Sequence, residues 1–250
     1  MIVRFLVDGV KTFGLLENNQ VSEISGDVFQ EDYLVTSKTY QLKDIQLLSP
    51  CEPSKVVCVG LNYKDHAKEV NLPLPEQPLL FLKPPTSVVG PNDDVIYPEQ
   101  SNQIDYEAEL AIVIGKEAKN VNEENANDYI LGYTCANDVT ARDLQFDDGQ
   151  WTRGKSFDTF CPIGPGIVDR VKLEEAKIEL FVNGEVKQSS TLDQLIFKVD
   201  YLVSYISKVM TLKPGDVILT GTPHGIGPVE RNNKMTVRID GIGELENTLV

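Results

Sequence analysis

The chain has 250 residues, of which 41% are hydrophobic and 24% charged, as in an ordinary globular protein. Its 38 acidic residues outnumber its 23 basic residues, and the resulting formal charge of −15 repels polyanions, which argues against nucleic acid as a partner. No apolar run approaches the roughly 20 residues of a membrane-spanning helix, and the first residues lack the features of a signal peptide. We therefore expect a cytoplasmic protein that does not contact a membrane.

The first 48 residues show the alternation and turn residues of a small antiparallel unit, so a small N-terminal β domain is predicted over 1–48. A proline- and serine-containing linker follows, and the apolar run 55–60 predicts a buried strand. The second domain is therefore expected to cover 54–250.

Strands predominate in the second domain, with one clear helix. Apolar residues at near-helical spacing predict an amphipathic helix over 195–210. Because strands and helices do not alternate regularly, the pattern predicts a β-rich α+β fold and not a doubly wound sheet. The predicted strands are 79–82, 106–114, 130–136, 178–183, 217–220 and 235–239.

The four cysteines are widely spaced, contain no Cys-x-x-Cys pair and stand mostly among apolar residues. This pattern favours reduced thiols in the core over disulfides or zinc ligands.

Three carboxylates stand at alternate positions where the central strand begins. A β-strand points alternate side chains to one face, so Asp105, Glu107 and Glu109 are expected to point together and to repel one another. The run 110–114 is apolar throughout, which suggests burial and not a solvated face. Mg²⁺ or Mn²⁺ binds oxygen ligands and would offset the repulsion. The spacing leaves a metal site and a plain exposed face as alternatives.

Another acidic position follows the strand 130–136. Thr140 and Asp143 have the spacing of a helix capping box, in which case Asp138 only starts a turn. That interpretation does not account for Asp138 with Arg142 nearby. Together they offer a third carboxylate ligand and a guanidinium that could bind a substrate carboxylate.

One of the two histidines has a carboxylate within reach. His66 and Glu69 lie at i and i+3 on a short polar helix, so their side chains share one face. A carboxylate bonded to imidazole raises its basicity, which suits a general base that activates water. The alternative is an ordinary pair on a helix surface.

Two further segments also leave alternatives open. Lys155 is either a solvated loop lysine or a cation that holds a substrate carboxylate or stabilises developing negative charge. The glycine- and proline-rich segment 219–228 is either a tight turn or a loop that presents backbone N–H groups and the Thr222 hydroxyl to an anion.

Taken together and in this order, several segments resemble the catalytic core of the fumarylacetoacetate hydrolase family, with a similarity that covers about residues 54 to 250. The first 48 residues match only that family's loosely defined leading domain. The segments that carry the resemblance are Phe81-Leu82-Lys83-Pro84-Pro85-Thr86-Ser87, Tyr106-Glu107-Ala108-Glu109-Leu110, Asp138-Val139-Thr140-Ala141-Arg142-Asp143, Lys155-Ser156-Phe157 and Leu219-Thr220-Gly221-Thr222-Pro223.

The resemblance implies a mixed β-sandwich roll that binds Mg²⁺ or Mn²⁺. The implied metal ligands are Glu107, Glu109 and Asp138. The implied water-activating pair, on a short helix that orders over the occupied site, is His66 and Glu69. The positions implied to hold substrate or stabilise charge are Lys155, Arg142, Gln145 and Thr222. Larger hydrolases of the family carry a further aspartate ligand about where this chain has Val59, so water or substrate is expected to complete the coordination.

The implied activity acts on a small 2-oxo acid through an enolate that the metal stabilises, with carbon–carbon hydrolysis of an acylpyruvate expected first. Isomerisation, tautomerisation or decarboxylation of diacids such as 2-hydroxyhepta-2,4-diene-1,7-dioate or oxaloacetate uses the same intermediate, and fold analogy cannot choose among these reactions. Ureidoglycolate lyase activity is more distant. A metal-binding protein without catalysis is the alternative from another class. The family's mode of pairing implies a homodimer.

Overall fold

The computed structural model describes residues 1–30, 33–69, 71 and 73–250, and strands predominate over helices in it. The strands are β1 Ile2–Val7, β2 Val10–Glu17, β3 Gln20–Ser25, β4 Leu34–Gln41, β5 Gln46–Leu48, β6 Val56–Gly60, β7 Leu79–Lys83, β8 Val88–Val89, β9 Asp94–Val95, β10 Ile104–Tyr106, β11 Ala108–Ile114, β12 Ile130–Asn137, β13 Thr140–Ala141, β14 Cys161–Val168, β15 Lys177–Val182, β16 Glu185–Thr191, β17 Val217–Leu219, β18 Gly227–Pro228, β19 Lys234–Ile239 and β20 Gly243–Leu249. The α-helices are α1 Lys64–Glu69, α2 Arg142–Asp148, α3 Thr152–Lys155 and α4 Val199–Val209. Short 3₁₀ helices cover Leu42–Asp44, Pro85–Ser87, Glu123–Tyr129 and Leu192–Gln194. The β-rich α+β prediction is confirmed.

The strands form a large mixed sheet and two smaller ones. The large sheet runs in the order β4-β3-β2-β1-β14-β12-β11-β17-β6-β7, with β5 beside β1 and β8 beside β14. A five-stranded sheet has the order β16-β15-β19-β20-β9, and a three-stranded sheet has β13-β10-β18. Most pairs are antiparallel, but β17 runs parallel to β6, β14 to β8 and β20 to β9. The sheets are therefore mixed, as the family resemblance implied.

The N-terminal strands extend the large sheet. Strand β1 pairs antiparallel with β14 at Ile2 and Ile167, and β2 to β4 continue outward from β1. A small core of their own contains Val3, Phe5 and Val21. The division into domains at 1–48 and 54–250 stays a prediction.

Strand β11 is apolar on both faces because each face packs against a hydrophobic core. Leu110, Ile112 and Ile114 enter the main core, which also receives residues of β15 and β19 from the five-stranded sheet. Ala111 and Val113 face a second core on the other side of the large sheet. Because successive strand side chains alternate, the odd-numbered face of β11 continues back to Glu109. The acids are thus built into the buried centre of the fold.

Helix α4 is shorter than predicted. It begins at Val199 and not at 195, and Lys198 before it has an extended backbone. The preceding residues are held by Asn62, whose side chain accepts a hydrogen bond from the Phe197 N–H at 2.7 Å and donates one to the Phe197 carbonyl at 3.1 Å. Helical spacing at 195–198 therefore reflects burial in a non-helical segment, because tertiary hydrogen bonds override the local pattern.

The cysteine prediction is confirmed, because all four thiols are free and buried. Among the helices in the described ranges, none has both the length and the apolar composition needed to cross a lipid bilayer.

Candidate active site

Three buried carboxylates converge where β11 begins and β12 ends. One oxygen each of Glu107, Glu109 and Asp138 lies within 4.8 Å of the other two. Glu109 pairs with Ala136 across the two strands, and the N–H of Asp138 donates to the Glu107 carbonyl at 2.9 Å. The three residues are 6%, 2% and 0% exposed, so the plain exposed face considered for these acids is wrong.

The strand is interrupted at Glu107, between β10 and β11. The Glu107 N–H donates to the side chain of Asn137 at 2.9 Å, and the Ala108 N–H donates to the side chain of Gln188 at 2.8 Å. Two buried amide side chains thus replace sheet partners at the position where the acids converge. Asp105 is not among the acids that converge, so the expectation that it joins Glu107 and Glu109 is not met. Asp105 bonds instead to Arg142 at 2.7 Å.

Two buried lysines neutralise part of this cluster. Lys155 Nζ lies 2.9 Å from Glu107 Oε2 and 2.8 Å from Asp138 Oδ2. Lys83 Nζ lies 2.5 Å from Asp138 Oδ1 and 3.0 Å from the Val139 carbonyl. Since Lys155 is 2% exposed, the alternative of a solvated loop lysine is wrong.

The position of Lys155 depends on close packing of two short helices. A Cβ at Gly154 would lie 2.9 Å from both the Ala141 carbonyl oxygen and the Gln145 nitrogen, which leaves no room for a side chain. This contact places α3 directly against the start of α2. The sequence therefore needs glycine immediately before the lysine.

Arg142 forms a fork at the first turn of α2. Its Nη2 donates to Glu107 Oε1 at 2.5 Å and its Nη1 donates to Gln145 Oε1 at 2.5 Å, while Nε bonds Asp105. All four side chains are buried. The capping box considered for Thr140 is absent, because Thr140 donates to the Asp138 carbonyl and the cap of α2 is Ala141.

The electrostatics of the two glutamates differ. Burial raises the pKa of Glu107, but Lys155 and Arg142 outweigh it and lower the pKa to about 2. Burial raises the pKa of Glu109 well above its usual value, and the charges of Asp138 and Glu107 raise it further. Glu109 accepts a hydrogen bond from the Gly221 N–H at 2.6 Å, and no lysine or arginine among the described residues forms an ion pair with it.

This arrangement fits a divalent cation. Asp105, Glu107, Glu109 and Asp138 carry four negative charges when ionised, against three positive charges on Lys83, Arg142 and Lys155. The excess negative charge is at Glu109, which is the triad member that lacks a cationic partner. Oxygen ligands that converge in a buried cluster suit Mg²⁺ or Mn²⁺, and a cation there would favour ionised Glu109.

His66 and Glu69 contact each other on α1. His66 Nδ1 lies 2.8 Å from Glu69 Oε2, and the other oxygen, Glu69 Oε1, accepts the Gly225 N–H at 3.0 Å. The His66 side chain is only 12% exposed. A pair that is anchored from outside its helix, with the histidine largely covered, differs from an ordinary surface pair. His66 and Glu69 are therefore held in contact, and the role of the pair as a base stays a prediction.

Helix α1 is attached to the loop that follows β17. Asp65 accepts a hydrogen bond from Ser190 Oγ at 2.5 Å and lies 3.0 Å from His224 Nδ1. At the start of the helix, Asn62 Nδ2 donates to the Thr220 carbonyl at 2.7 Å. Gly221 follows Thr220 and contacts Glu109, so the loop connects the dyad to the acids. Within the described residues, the dyad itself forms no hydrogen bond with the three acids.

Thr222 lies in the same loop and is buried. Its Oγ1 accepts a hydrogen bond from Gln188 Nε2 at 2.8 Å. The preceding Gly221 has φ +97°, and a Cβ there would lie 2.8 Å from the Asn62 Cβ, so the loop requires glycine. The segment is thus a tight turn whose Gly221 N–H donates to Glu109, and presentation of the Thr222 hydroxyl to an anion stays a prediction.

Sequence reasoning missed several polar residues that build the site, namely Lys83, Asn137, Gln188 and Asn62. A lysine or asparagine at the end of an apolar strand is a usable signal, and both Lys83 and Asn137 have it. Gln188 has no such signal, because its neighbours on β16 are exposed or half-buried. Its partners are 34 and 80 residues away in the chain.

Comparisons with known proteins agree with this architecture. A family model described as "Fumarylacetoacetate (FAA) hydrolase C-terminal" matches residues 55–250, and one described as "Rv2993c-like, N-terminal" matches residues 1–50. The human protein "Oxaloacetate tautomerase FAHD2A, mitochondrial" is 44% identical over 220 residues, covering 83% of this chain and 70% of that protein.

Two solved structures are also similar. The 2-hydroxyhepta-2,4-diene-1,7-dioate isomerase from Mycobacterium marinum has a TM-score of 0.93 and 42% identity, covering 100% of this chain and 97% of that chain. The fumarylpyruvate hydrolase from Pseudomonas aeruginosa, in complex with Mn²⁺ and pyruvate, has a TM-score of 0.75 and 38% identity. The match covers 86% of this chain and 92% of that chain.

Proposed function

The chain belongs to the fumarylacetoacetate hydrolase family, and from that premise we propose that it is a divalent-metal-dependent enzyme that hydrolyses a carbon–carbon bond in an acylpyruvate. The observation that carries the proposal is the buried triad Glu107, Glu109 and Asp138, which has an excess of negative charge and shares a loop with an oriented histidine–glutamate pair. The triad supplies a cation site and the pair supplies a base.

Glu107, Glu109 and Asp138 would hold Mg²⁺ or Mn²⁺. A cation bound there supplies Lewis-acid stabilisation of negative charge on the 2-oxo oxygen of the substrate. The solved hydrolase in complex with Mn²⁺ and pyruvate supports a metal ion and a 2-oxo acid as the occupants.

The cationic side chains bind and orient the substrate. Arg142 and Lys155 face the carboxylates of the triad, and Thr222 offers a hydroxyl from the neighbouring loop. Burial lowers the pKa of Lys155, but Asp138 and Glu107 outweigh it and raise the pKa above its usual value. The ion pairs with Glu107 and Asp138 favour the charged form of Lys155, which suits a cation that stabilises negative charge.

The His66–Glu69 pair activates water. Because Glu69 is the partner of Nδ1, the hydrogen of the neutral imidazole is assigned to Nδ1, which leaves Nε2 to accept a proton. Nε2 takes a proton from water while the water oxygen adds to the distal carbonyl carbon. Cleavage of the carbon–carbon bond leaves its electron pair on the pyruvate part as an enolate. Return of the proton to the enolate carbon completes pyruvate and a carboxylic acid.

A second candidate is isomerisation, tautomerisation or decarboxylation of an oxaloacetate-like diacid. The names of two relatives support it, since one is an oxaloacetate tautomerase at 44% identity and another a diacid isomerase at 42%. In a tautomerase, His66 would move a proton between the carbon beside the 2-oxo group and the enol. The same residues therefore serve both candidates, and only the substrate's distal group separates them.

The test is turnover with defined substrates. Purified protein, stripped of metal and reloaded with Mg²⁺ or Mn²⁺, is assayed with acylpyruvates, oxaloacetate and 2-hydroxyhepta-2,4-diene-1,7-dioate. Metal-dependent release of pyruvate from an acylpyruvate supports hydrolysis, whereas enol–keto conversion or CO₂ release without hydrolysis supports the second candidate. Binding of metal with no turnover of any of these acids would leave the non-catalytic metal-binding alternative.

A further inference from the structure

Gln188 connects the metal triad to the substrate loop from the opposite sheet. It lies on β16 in the five-stranded sheet and is 0% exposed. Its Oε1 accepts the Ala108 N–H at 2.8 Å, and its Nε2 donates to Thr222 Oγ1 at 2.8 Å and to the Pro223 carbonyl at 2.9 Å. One buried amide therefore contacts the strand between Glu107 and Glu109 and two residues of the loop.

The partners determine which way this amide points. A backbone N–H can only donate and a carbonyl can only accept, so Oε1 must face Ala108 and Nε2 must face Pro223. The second hydrogen of Nε2 is then directed at Thr222 Oγ1. The orientation of the Gln188 side-chain amide therefore follows from its hydrogen-bond partners alone.

This orientation controls the direction of the Thr222 hydroxyl. Since Oγ1 accepts from Gln188, one of its lone pairs is used and its hydrogen remains available. Among the described residues, no acceptor takes that hydrogen. The hydroxyl is consequently presented as a donor, which is what a carboxylate requires.

We propose that Gln188 is a positioning residue that fixes the Thr222 hydroxyl as a hydrogen-bond donor to the carboxylate of the bound 2-oxo acid, and fixes its distance from the metal triad. The inference rests on the proposed function for its ligand. It adds a residue that touches neither the metal nor the substrate.

The test combines two substitutions in a double-mutant cycle. Gln188→Met removes the hydrogen bonds at nearly constant shape, and Thr222→Val removes the hydroxyl. Binding of oxalate, a planar dianion that resembles the enolate of pyruvate, is measured by calorimetry in the presence of Mn²⁺, beside KM and kcat. We expect Gln188→Met to weaken oxalate binding and raise KM roughly 10-fold, the scale of a lost hydrogen bond to a charged group. In the Thr222→Val background, Gln188→Met should weaken oxalate binding less than about 3-fold, because the two residues act through one contact.

A further variant separates positioning from general damage. Gln188→Glu keeps the shape and can accept from Ala108, but its other oxygen can donate neither to Thr222 Oγ1 nor to the Pro223 carbonyl, so the hydroxyl is no longer held as a donor to substrate. It should weaken oxalate binding at least as much as Gln188→Met does. The matched control is Asn247→Leu, which removes another buried amide that donates to the backbone carbonyls of Gly90 and Asp93. This control should lower stability without changing oxalate affinity.

The outcomes distinguish this inference from the proposed function. If the wild type with Mn²⁺ neither binds oxalate nor turns over a 2-oxo acid, the proposed function fails, and the Gln188 inference fails with it. If the wild type binds oxalate and Gln188→Met binds it equally well, only the positioning inference is overturned. Full additivity with Thr222→Val would overturn it as well.

Discussion

The ammonium group of Lys83 donates a 2.5 Å hydrogen bond to Oδ1 of Asp138, and neither side chain is exposed to solvent. Removing one partner of a buried ion pair costs about 3 to 5 kcal/mol when the other charge is left without compensation. Because Asp138 keeps Lys155 at 2.8 Å as a second cationic partner, Lys83→Met should lower stability by less than that. It also leaves more negative charge at the triad, so added Mn²⁺ should stabilise the variant more than it stabilises the wild type.

Thermal unfolding of wild type and Lys83→Met, each with and without Mn²⁺, measures both effects. The reverse result, a smaller metal-induced shift in Tm for the variant, would show that Lys83 is needed for metal binding. The matched control is Lys55→Met, which removes a partly exposed lysine from buried Asp216, outside the triad. Its Tm should respond to metal as the wild type does.

The triad assignment predicts the loss of metal on truncation. Glu107→Ala, Glu109→Ala and Asp138→Ala should each weaken metal binding and abolish activity together, since one of three anionic ligands is removed. Calorimetric titration with Mn²⁺ measures the affinity. The control is Asp105→Asn, because Asp105 is equally buried but bonds to Arg142 and lies outside the triad. Unchanged affinity in all three alanine variants would refute the assignment.

The dyad predicts an effect on hydrolysis that leaves metal in place. His66→Ala should lower kcat for acylpyruvate hydrolysis by about 10²- to 10⁴-fold, the range of general base contributions, with unchanged metal affinity. Decarboxylation of oxaloacetate needs no attacking water and should fall less. Steady-state assays give the ratio of acylpyruvate hydrolysis to oxaloacetate decarboxylation. The control is Lys68→Ala, because Lys68 is an exposed residue on the same helix. Wild-type hydrolysis in His66→Ala would exclude the dyad as base.

The lowered pKa of Asp216 predicts that the free energy of unfolding depends on pH through a group outside the active site. Burial raises its pKa, but hydrogen bonds from Lys55, the Lys213 N–H and Ser54 lower it below the usual 3.8. A lowered folded-state pKa gives stability that is present above the unfolded value and is lost as the pH falls through the folded value. Asp216→Asn should therefore cost about 1.5 to 3 kcal/mol at pH 7, the scale of hydrogen bonds to a charged group.

This cost should shrink when the pH falls below about 3.8, because Asp216 of the unfolded chain then takes up a proton while the folded carboxylate, with its lower pKa, still resists protonation. Urea unfolding of both proteins from pH 7 to pH 3 measures the difference. A cost that stays constant over that range would show that the charge of Asp216 contributes nothing.

We propose a homodimer on the basis of the family's mode of pairing. Strand β7 ends the path of the large sheet and exposes about half of Leu79 and Leu82, at 51% and 45%. Apolar side chains at an unpaired edge are a liability unless a partner covers them. Sedimentation equilibrium at micromolar concentration should give about twice the chain mass of 27.8 kDa. A single species of monomer mass would contradict the proposal.

Local sequence patterns identified much of the fold and the acidic cluster. The two-residue period placed Glu107 and Glu109 on one face of the predicted strand 106–114, and the apolar run after them indicated burial. The i, i+3 spacing brought His66 and Glu69 into contact. These relationships depend on residues within one strand or one helical turn, whose geometry is nearly invariant.

Relationships between distant segments were decided only by tertiary structure. Strand alternation also placed Asp105 beside the two glutamates, but the side chains of Asn137 and Gln188 interrupt the strand and Arg142 takes Asp105 as its partner. The helix expected over 195–210 begins late because Asn62, far along the chain, holds the residues before it.

What the local sequence pattern by itself determined is therefore the orientation of Glu107, Glu109 and the His66–Glu69 pair, while Asp138 entered the ligand set through the family resemblance. Tertiary structure decided how their charges are balanced, which amides hold them, and that Thr222 Oγ1 accepts a hydrogen bond from Gln188. The physical reason is that a buried charge or amide must find a partner wherever the fold brings one within about 3 Å, and no local period encodes that encounter.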